Sequence, residues 1–305
     1  MPRSEHPFID LTAVNPSKKT QAENKHQALQ GELTSKNATW QAKQTDQTYL
    51  TLDQKKALLG VTPDRAFLRG IKQQGQQAMS FLPNFDPEVD WRTKNGGKVS
   101  PVKNQGTCGS CVSHATVGLI ESMALIEKGI LLDLSEADLH FCSIHGANCN
   151  GWFPPLALES ARTRGVTDEA HFPYASAFVG GVPQCIVAPD RAQHVFTITS
   201  WTMPLFDPYR KDALTNQGPL VAVLDIYDDF FGYGSGIYQH ISGQKVGSHC
   251  ILVVGYSQSQ NCWICKNSWG EGWGESGFFR IAYGQCAMDG AFTPFYSAQG
   301  VVFPP

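Results

Sequence analysis

The chain reads as an α+β protein of two subdomains, a mainly helical half followed by a mainly β half with a cleft between them, behind a polar N-terminal leader. Three observations predict this. From residue 111 to residue 164, helix-like segments follow one another. Beyond Gln193 the pattern changes to runs that alternate or stay apolar, which is the signal of strands. Residues 1 to about 85 differ from both: they are rich in Gln, Lys, Thr and Asn and hold none of the nine cysteines. A cleft between two subdomains is a favoured place for a ligand site.

The 305 residues suffice for a sizeable core. With 42% hydrophobic and 17% charged residues the chain reads as soluble and globular. A net charge of −3 gives no reason to expect nucleic acid as a partner. No apolar run reaches 18 residues, so no spanning helix and no membrane partner is expected. The first thirty residues lack an apolar signal core, so export by a classical signal is absent or the signal has been removed. Nine cysteines at loop-like positions suit an oxidising compartment, and the odd number leaves at least one unpaired unless it pairs between chains.

The leader carries 11 Lys+Arg against 7 Asp+Glu; subtraction from 24 and 27 leaves 13 against 20 for the rest. A basic leader on an acidic body suits electrostatic docking. Residues 1–20 read as a solvated, unstructured start. A weakly amphipathic helix is expected over Lys18–Leu33. The stretch Asn37–Ala42, with Trp40, is the first with packing potential. Leu52–Leu59 reads as a short helix capped by Asp53 and ended by Gly60-Val61-Thr62-Pro63. Arg65–Met79 reads as a loop with helical turns. Pro83, Asp86, Pro87 and Glu88 mark the boundary, at about residue 86, before the body of the chain.

In the body, Ala115, Leu119, Met123 and Ile126 recur at spacings of three and four, so Val112–Lys128 reads as a helix. Ser135–Cys142 is a second, with Ser135 as cap and Asp138 in the box position. Pro155–Arg164 is a third, stopped by Gly165. About residues 86–192 form the helical subdomain and about 193–297 the β subdomain. Strands are expected at His194–Thr202, Leu220–Ile226, Cys250–Tyr256, Asn261–Lys266 and Phe278–Ala282.

The chemistry concentrates at Gln105-Gly106-Thr107-Cys108-Gly109-Ser110-Cys111. Cys111 sits at a helix N-terminus, where the dipole and free N–H groups favour thiolate. The Gln105 amide can turn an N–H toward an oxyanion beside that sulfur. A cysteine nucleophile needs a base, and the base needs an orienter. His249 heads the apolar strand Cys250–Gly255, from which its ring can project into the cleft. Asn267 follows the strand that ends at Lys266, and its amide oxygen can fix the imidazole tautomer. Trp269 can shield that bond from water. The order Cys, His, Asn with wide spacing is the papain-type signature.

The chain resembles the papain-like cysteine peptidases over about residues 86–297. The matching pieces are Val89-Asp90-Trp91, Pro101–Gly106, Cys108-Gly109-Ser110-Cys111, Cys149-Asn150-Gly151, Phe172-Pro173-Tyr174, Ser248-His249 and Lys266-Asn267-Ser268-Trp269-Gly270-Glu271-Gly272-Trp273-Gly274. The resemblance implies the papain-like fold, a helical left half and a β-barrel-like right half. It implies Cys111 as nucleophile, His249 as general acid/base, Asn267 as orienter and Gln105 as oxyanion donor. It implies endopeptidase hydrolysis of protein or peptide substrates through an acyl-enzyme, with no cofactor and no metal. Substrate contacts would come from Gly109, Asn150, Gly151, Trp152, Phe153, Pro154, Val223, Gly247, Ser248, Trp269 and Ala291. Phe153, Pro154, Val223, Gly247 and Ala291 would line an apolar pocket for the residue two before the scissile bond. Residues 1–85 look like a short cathepsin B-like pro-region that blocks the cleft of a zymogen. Cystatin-like protein inhibitors, a monomeric state and a secreted, periplasmic or lysosome- or vacuole-like location are further implications.

The resemblance implies disulfides Cys108–Cys149 and Cys142–Cys185, with Cys111 free. Cys286 matches a half-cystine whose usual partner position is Gly243. Cys250, Cys262 and Cys265 are extra and read as core thiols, with a Cys262–Cys286 bridge as the alternative. His140, Cys142, His145 and Cys149 have zinc-ligand types, but the disulfide framework claims both cysteines. Val112 and His114 stand where the family has aromatic residues, and His114 reads as a histidine satisfied in the core. Trp152 stands where a second glycine is usual, so its ring is expected to narrow the cleft or cover a substrate side chain. These departures motivate a silent binding protein as the rival, with a peptide ligase or acyl transferase as another use of the same groups.

Overall fold

The computed structural model describes residues 15–62, 64, 67, 82–178, 183–290 and 293–305. The arm begins with α1 (Pro16–Ser35), which has Pro16 at its first turn and Asn15 accepting from the Ser17 N–H. Residues 16–20 are therefore helical, not an unstructured start; the rest of that expectation, over residues 1–14, lies outside the described residues. Two residues of α1, Ala22 and Leu33, are buried. Strand β1 (Trp40–Ala42) follows, then a 3-10 turn (Asp46–Tyr49) and α2 (Leu52–Ala57). Thr51, not Asp53, caps α2: Thr51 accepts from the Gln54 N–H and the Gln54 side chain returns to the Thr51 N–H. Asp53 sits one residue inside, where its charge meets the helix dipole but its oxygen is not the cap. The expectation for Arg65–Met79 lies outside the described residues, apart from residue 67.

The body starts with β2 (Glu88–Asp90) and then α3 (Cys111–Glu127). Every residue of α3 from Cys111 to Ala124 is buried, polar ones included, so the helix runs through the middle of the molecule. Helix α4 (Glu136–Phe141) is capped by the Ser135 hydroxyl, which accepts from the Asp138 N–H. Asp138 does not complete the box. Its buried carboxylate takes paired hydrogen bonds from Arg164 and Arg191 instead, a stronger charge-assisted arrangement. Helix α5 (Pro154–Thr163) ends before Gly165, whose φ of 73° is the left-handed conformation a helix stop requires.

The remaining elements are β3 (Val166–Thr167), β4 (Val195–Thr202), α6 (Asp207–Asn216), β5 (Leu220–Tyr227), β6 (Tyr233–Tyr238), β7 (Lys245–Ser257), β8 (Cys262–Lys266), β9 (Phe278–Ala282) and β10 (Ser297–Val302). One sheet runs β1-β6-β9-β8-β7-β2, with β5 also on β7; a smaller sheet is β10-β4-β3. The sequence reading lacked α6 and the strands β1, β2, β3, β6 and β10. Tyr233–Tyr238 holds glycines at 234 and 236, which weaken the strand pattern.

Strands β5 and β7 pair with Leu224 opposite His249 and Val223 opposite Cys250. Their alternation feeds two cores. Leu220, Ala222, Leu224, Ile226, Ile251 and Val253 pack among the β-half aromatics. Val221, Cys250, Leu252 and Val254 face α3, together with Ile198 and Val301 from the smaller sheet. A helical layer and a barrel-like sheet thus meet along β7, as the α+β expectation requires. The disulfides Cys108–Cys149 and Cys142–Cys185 are formed. Cys262 and Cys286 are both free and buried, so the alternative Cys262–Cys286 bridge is absent.

The arm docks on the β half. Strand β1 adds to β6 with Trp40 opposite Gly236. The buried Trp40 ring lies 5.1 Å from Tyr238 and 6.0 Å from Tyr233, and its indole N–H donates to the Gln239 carbonyl. Leu33, Leu50 and Leu58 join the same core. Among the described residues, one ion pair links arm and body, Lys55 with Asp228 at 3.5 Å. The opposite net charges of the two parts therefore contribute little local pairing; burial and hydrogen bonds hold the arm.

Candidate active site

Cys111 opens α3 and is a free, fully buried thiol. The disulfide from Cys108 to Cys149 fixes the loop in front of it, and the Gly109 N–H donates to the Cys149 carbonyl at 3.1 Å. His249 is not at a strand end. It lies within the 13-residue β7, which starts four residues earlier because Lys245–Ser248 pair with β5. Pairing on that side, invisible to a local reading, makes the imidazole mount more rigid. His249 Nε2 meets Asn267 Oδ1 at 2.8 Å, and the Trp269 ring lies 4.9 Å from the imidazole. Nδ1 makes no hydrogen bond of good geometry.

Gln105 is fully buried. Its Nε2 donates to the Leu58 carbonyl at 3.0 Å and to the Cys108 carbonyl at 2.7 Å. Its Oε1 accepts from the Ser268 hydroxyl at 2.6 Å, which fixes which end of the amide faces the cleft. The Tyr174 hydroxyl lies 2.9 Å from the Gln105 carbonyl and 2.7 Å from Ser110 Oγ. Ser110, Tyr174 and Ser268 were quoted only as parts of motifs. Their link to Gln105 and the loop before Cys111 arises from contacts 64, 69 and 163 residues apart, which no local pattern carries.

The segment Leu58–Thr62 crosses this centre. Beyond the Leu58 contact, the Trp152 N–H donates to the Gly60 carbonyl at 2.9 Å and the Thr62 N–H to the Trp152 carbonyl at 2.8 Å. Gly60 lies so close to the loop that a Cβ there would fall 1.8 Å from the Gly109 carbonyl oxygen and force a shift. Gly151, at a φ of 126°, packs against Gly60 from the other side. Leu59 touches Gly247, and the Phe67 ring meets Phe153 edge-on at 5.3 Å.

The other expected contact residues divide. Pro154 is buried at the start of α5 and Val223 packs in the core around α3. Asn150 is exposed and its N–H bonds to Asn148. Ser248 turns its hydroxyl to Asp225 at 3.0 Å. Ala291 lies outside the described residues. The Trp152 ring does not narrow the cleft: it is buried among the residues packed around α3, 6.0 Å from His140, and its backbone bonds to the crossing segment. An apolar ring of that size gains more from the core than from a cleft wall. His114 is buried and satisfied, with Nδ1 3.3 Å from Ser110 Oγ and its ring edge-on to Tyr174. The four zinc-type residues are not gathered: Cys142 and Cys149 are in disulfides and His140 Nδ1 meets Ser113 Oγ at 2.8 Å.

Burial sets the protonation. It pushes the Cys111 thiol up to about 11, against the N–H groups of Cys250, Gly60, Val112 and Cys111 itself. It pushes His249 down to about 4, against its bond to Asn267. The helix N-terminus was expected to favour thiolate, but its effect is smaller than the loss of water around a fully covered sulfur. In this closed state the two groups are a neutral thiol and a neutral imidazole.

The model of the papain family of cysteine proteases matches residues 85–294. Pro-cathepsin H from Mus musculus is 35% identical over 211 residues, which span 66% of this chain and 61% of that protein. Ananain from Ananas comosus is 33% identical over 226 residues, 70% of this chain and 62% of that one. The aligned stretches thus span less than two thirds of the length of either relative. Among solved structures, proCathepsin B S9 from Trypanosoma congolense shares the fold with a TM-score of 0.73 at 21% identity, covering 96% of this chain and 99% of its own. The digestive procathepsin L 3 of Tenebrio molitor larval midgut gives 0.75 at 25% identity, covering 94% and 93%. Match, order of motifs and fold agree, and the chain belongs to the papain family of cysteine proteases.

Proposed function

We propose that the protein is the zymogen of a cysteine endopeptidase, with residues 1–85 as its inhibitory pro-region and residues 86–305 as the peptidase. The observation that carries this reading is the Leu58 carbonyl held at 3.0 Å by Gln105 Nε2, with Gly60 against Gly109 and Gly151. A peptide carbonyl already sits on the donor that an oxyanion would need, at a fully buried cysteine.

Once the arm leaves, water returns, and the Cys111 proton can pass to His249 to form the thiolate–imidazolium pair. Sγ attacks the scissile carbonyl carbon. Gln105 Nε2 and the Cys111 N–H stabilise the developing oxyanion. His249 gives its proton to the leaving amine, and the acyl-enzyme remains. His249 then takes a proton from water, the hydroxide attacks the thioester, and Sγ leaves. Asn267 holds the imidazole through both steps. Ser268, Tyr174 and Ser110 act by positioning the oxyanion loop.

Leu59 on Gly247 and Phe67 on Phe153 support an apolar pocket for the residue two before the scissile bond. Two disulfides support an oxidising location such as a secreted, periplasmic or lysosome-like compartment. A monomer open to cystatin-like inhibitors completes the reading.

The test compares the full chain with a form starting near Asp86 on a small fluorogenic peptide with an apolar residue at that position. The short form should hydrolyse it, and the full chain should not until the arm is cleaved. Equal rates would overturn the blocking role. An epoxide-type thiol inhibitor should label Cys111 in the short form and fail to do so in His249→Ala; labelling that survives would remove His249 from the mechanism.

A further inference from the structure

Two loops bring together Asp168, His171, Asp190 and His194, none of which belongs to the cleft assembly. Strands β3 and β4 pair with Thr167 opposite Val195, so Asp168 and His194 follow as neighbours across the ladder. His171 returns onto Asp168 through a turn, its N–H donating to Asp168 Oδ1 at 3.0 Å and its Nδ1 lying 2.6 Å from the same oxygen. His194 Nδ1 is 3.6 Å from Asp168 Oδ2. The Nε2 atoms of both histidines lie 3.7 Å from Asp190 Oδ2. The two imidazoles stack at 3.5 Å between centroids with 21° between planes. All four side chains keep access to water, between 25% and 50% of it.

We propose that Asp168, His171 and His194 form a binding site for one divalent transition-metal ion of the zinc type. One ligand atom from each lies within 4.8 Å of the other two, and among the described residues this is the grouping that meets that condition. Tetrahedral zinc with bonds of about 2.0–2.1 Å sets its ligand atoms roughly 3.4 Å apart. The Asp168 oxygens already stand 2.6 and 3.6 Å from the two Nδ1 atoms. Two imidazoles and one carboxylate are the donor set that zinc and its neighbours prefer to magnesium or calcium.

Charge and support favour the same ion. With neutral imidazoles the two carboxylates carry two negative charges. The nearest guanidinium on these loops, that of Arg191, is spent on Asp138. A divalent cation would neutralise the pair. Asp190 would then accept from both Nε2–H groups, the outer carboxylate that orients metal-bound histidines. That Arg191–Asp138 bond also anchors the turn that carries Asp190 and His194. The stacked rings hold their in-plane lone pairs almost parallel, so binding must splay them apart; both lie on loop residues at the surface, where that rotation is open.

The experiment uses the untagged full chain carrying Cys111→Ser, so that the active-site thiol takes no metal. Cobalt(II) is added and its visible absorption followed, then zinc(II) is titrated against it. One cobalt per chain, displaced by zinc, is expected. His171→Gln and His194→Gln should each weaken binding about tenfold or more, and His145→Gln, an exposed histidine elsewhere, should not. Failure to bind either ion, or binding unchanged in the double His171→Gln/His194→Gln variant, overturns the proposal. If those variants fold poorly, copper(II) spin resonance on the parent decides: coupling to two nitrogens supports the site, and none rejects it.

Discussion

Helix α1 of the arm spans 20 residues and buries two of them, whereas α3 spans 17 and buries 14. The first cannot hold itself: a polar helix with so little buried surface is marginal alone. It is held through its C-terminal end, by the Gln30 amide on the Ala42 carbonyl, by Ser242 donating to Glu32, and by Lys36 on the Ile241 carbonyl. The second is surrounded by two sheets and needs no partner from outside the body. Cysteines follow the same division, since both disulfides tie the body and none reaches the arm. The arm borrows its structure from the surface it covers.

Four changes would break or sharpen this contrast. The largest effect is expected from Trp40→Ala, which empties the pocket between Tyr233 and Tyr238. Burying a Trp of this kind is worth roughly 3–5 kcal/mol, so arm docking should weaken by about 10²- to 10⁴-fold. The full chain would show peptidase activity before cleavage while the melting of the short form stays unaltered. A silent full chain of Trp40→Ala would mean that the arm is held elsewhere.

Acid should loosen the arm next. His249 is held down to about 4 in the closed state, against an ordinary value near 6.5. With Cys111→Ser in place no thiolate can pair with the imidazole, so below pH 6.5 the open form of that variant binds a proton that the closed form refuses. Its docking is therefore complete above that pH and is lost progressively as pH falls toward 4, by about 3 kcal/mol in all. Limited proteolysis of the arm in the full-length Cys111→Ser chain reports the opening. A cleavage rate that stays flat from pH 6.5 to 4, once corrected for the protease's own pH profile, would oppose this.

Gly60→Ala comes third. A Cβ directed at the Gly109 carbonyl must displace backbone, at about 1–3 kcal/mol for overpacking. It should raise the basal activity of the full chain and leave the short form, which lacks residue 60, untouched. The smallest effect belongs to the body: Ser268→Ala removes the hydroxyl that holds Gln105 Oε1. One hydrogen bond of about 1 kcal/mol predicts a several-fold fall in kcat of the short form with KM little changed. A rise in KM alone would assign Ser268 to substrate binding instead.

Much of the body was legible in the sequence. The α3 stripe at Ala115, Leu119 and Met123, the Ser135 cap and the Gly165 stop all rest on contacts within a turn or two, where periodicity and capping carry the information. The strands at 195–202, 220–227 and 278–282 were visible for the same reason. Strand β6 was not, because Gly234 and Gly236 erase its alternation and the partner that makes it a strand is partly β1 of the arm. The start of β7 was placed five residues late, since Lys245–Ser248 are polar or small and become strand only by pairing with β5.

The site divides in a similar way. Residue types and their order pointed to Cys111, His249, Asn267 and Gln105, because that chemistry restricts which side chains can serve and in what local setting. The fold brings His249 and Asn267 to 2.8 Å and attaches Gln105 to Leu58, 47 residues earlier. Trp152 was misjudged since burial of a ring depends on what packs over it. The protonation of Cys111 could not be read from its helix position: desolvation sums over every atom that excludes water, including an arm whose path no local pattern reveals.

By itself, then, the sequence determined the chemical inventory, the helix that presents the thiol and the sign of its dipole, all of which act over a few residues. Tertiary structure alone decided that the thiol is neutral in the closed state, that the Leu58 carbonyl takes the Gln105 amide, and that Asp168, His171 and His194 meet. Each of these depends on groups far apart in the chain and on water removed by several elements at once.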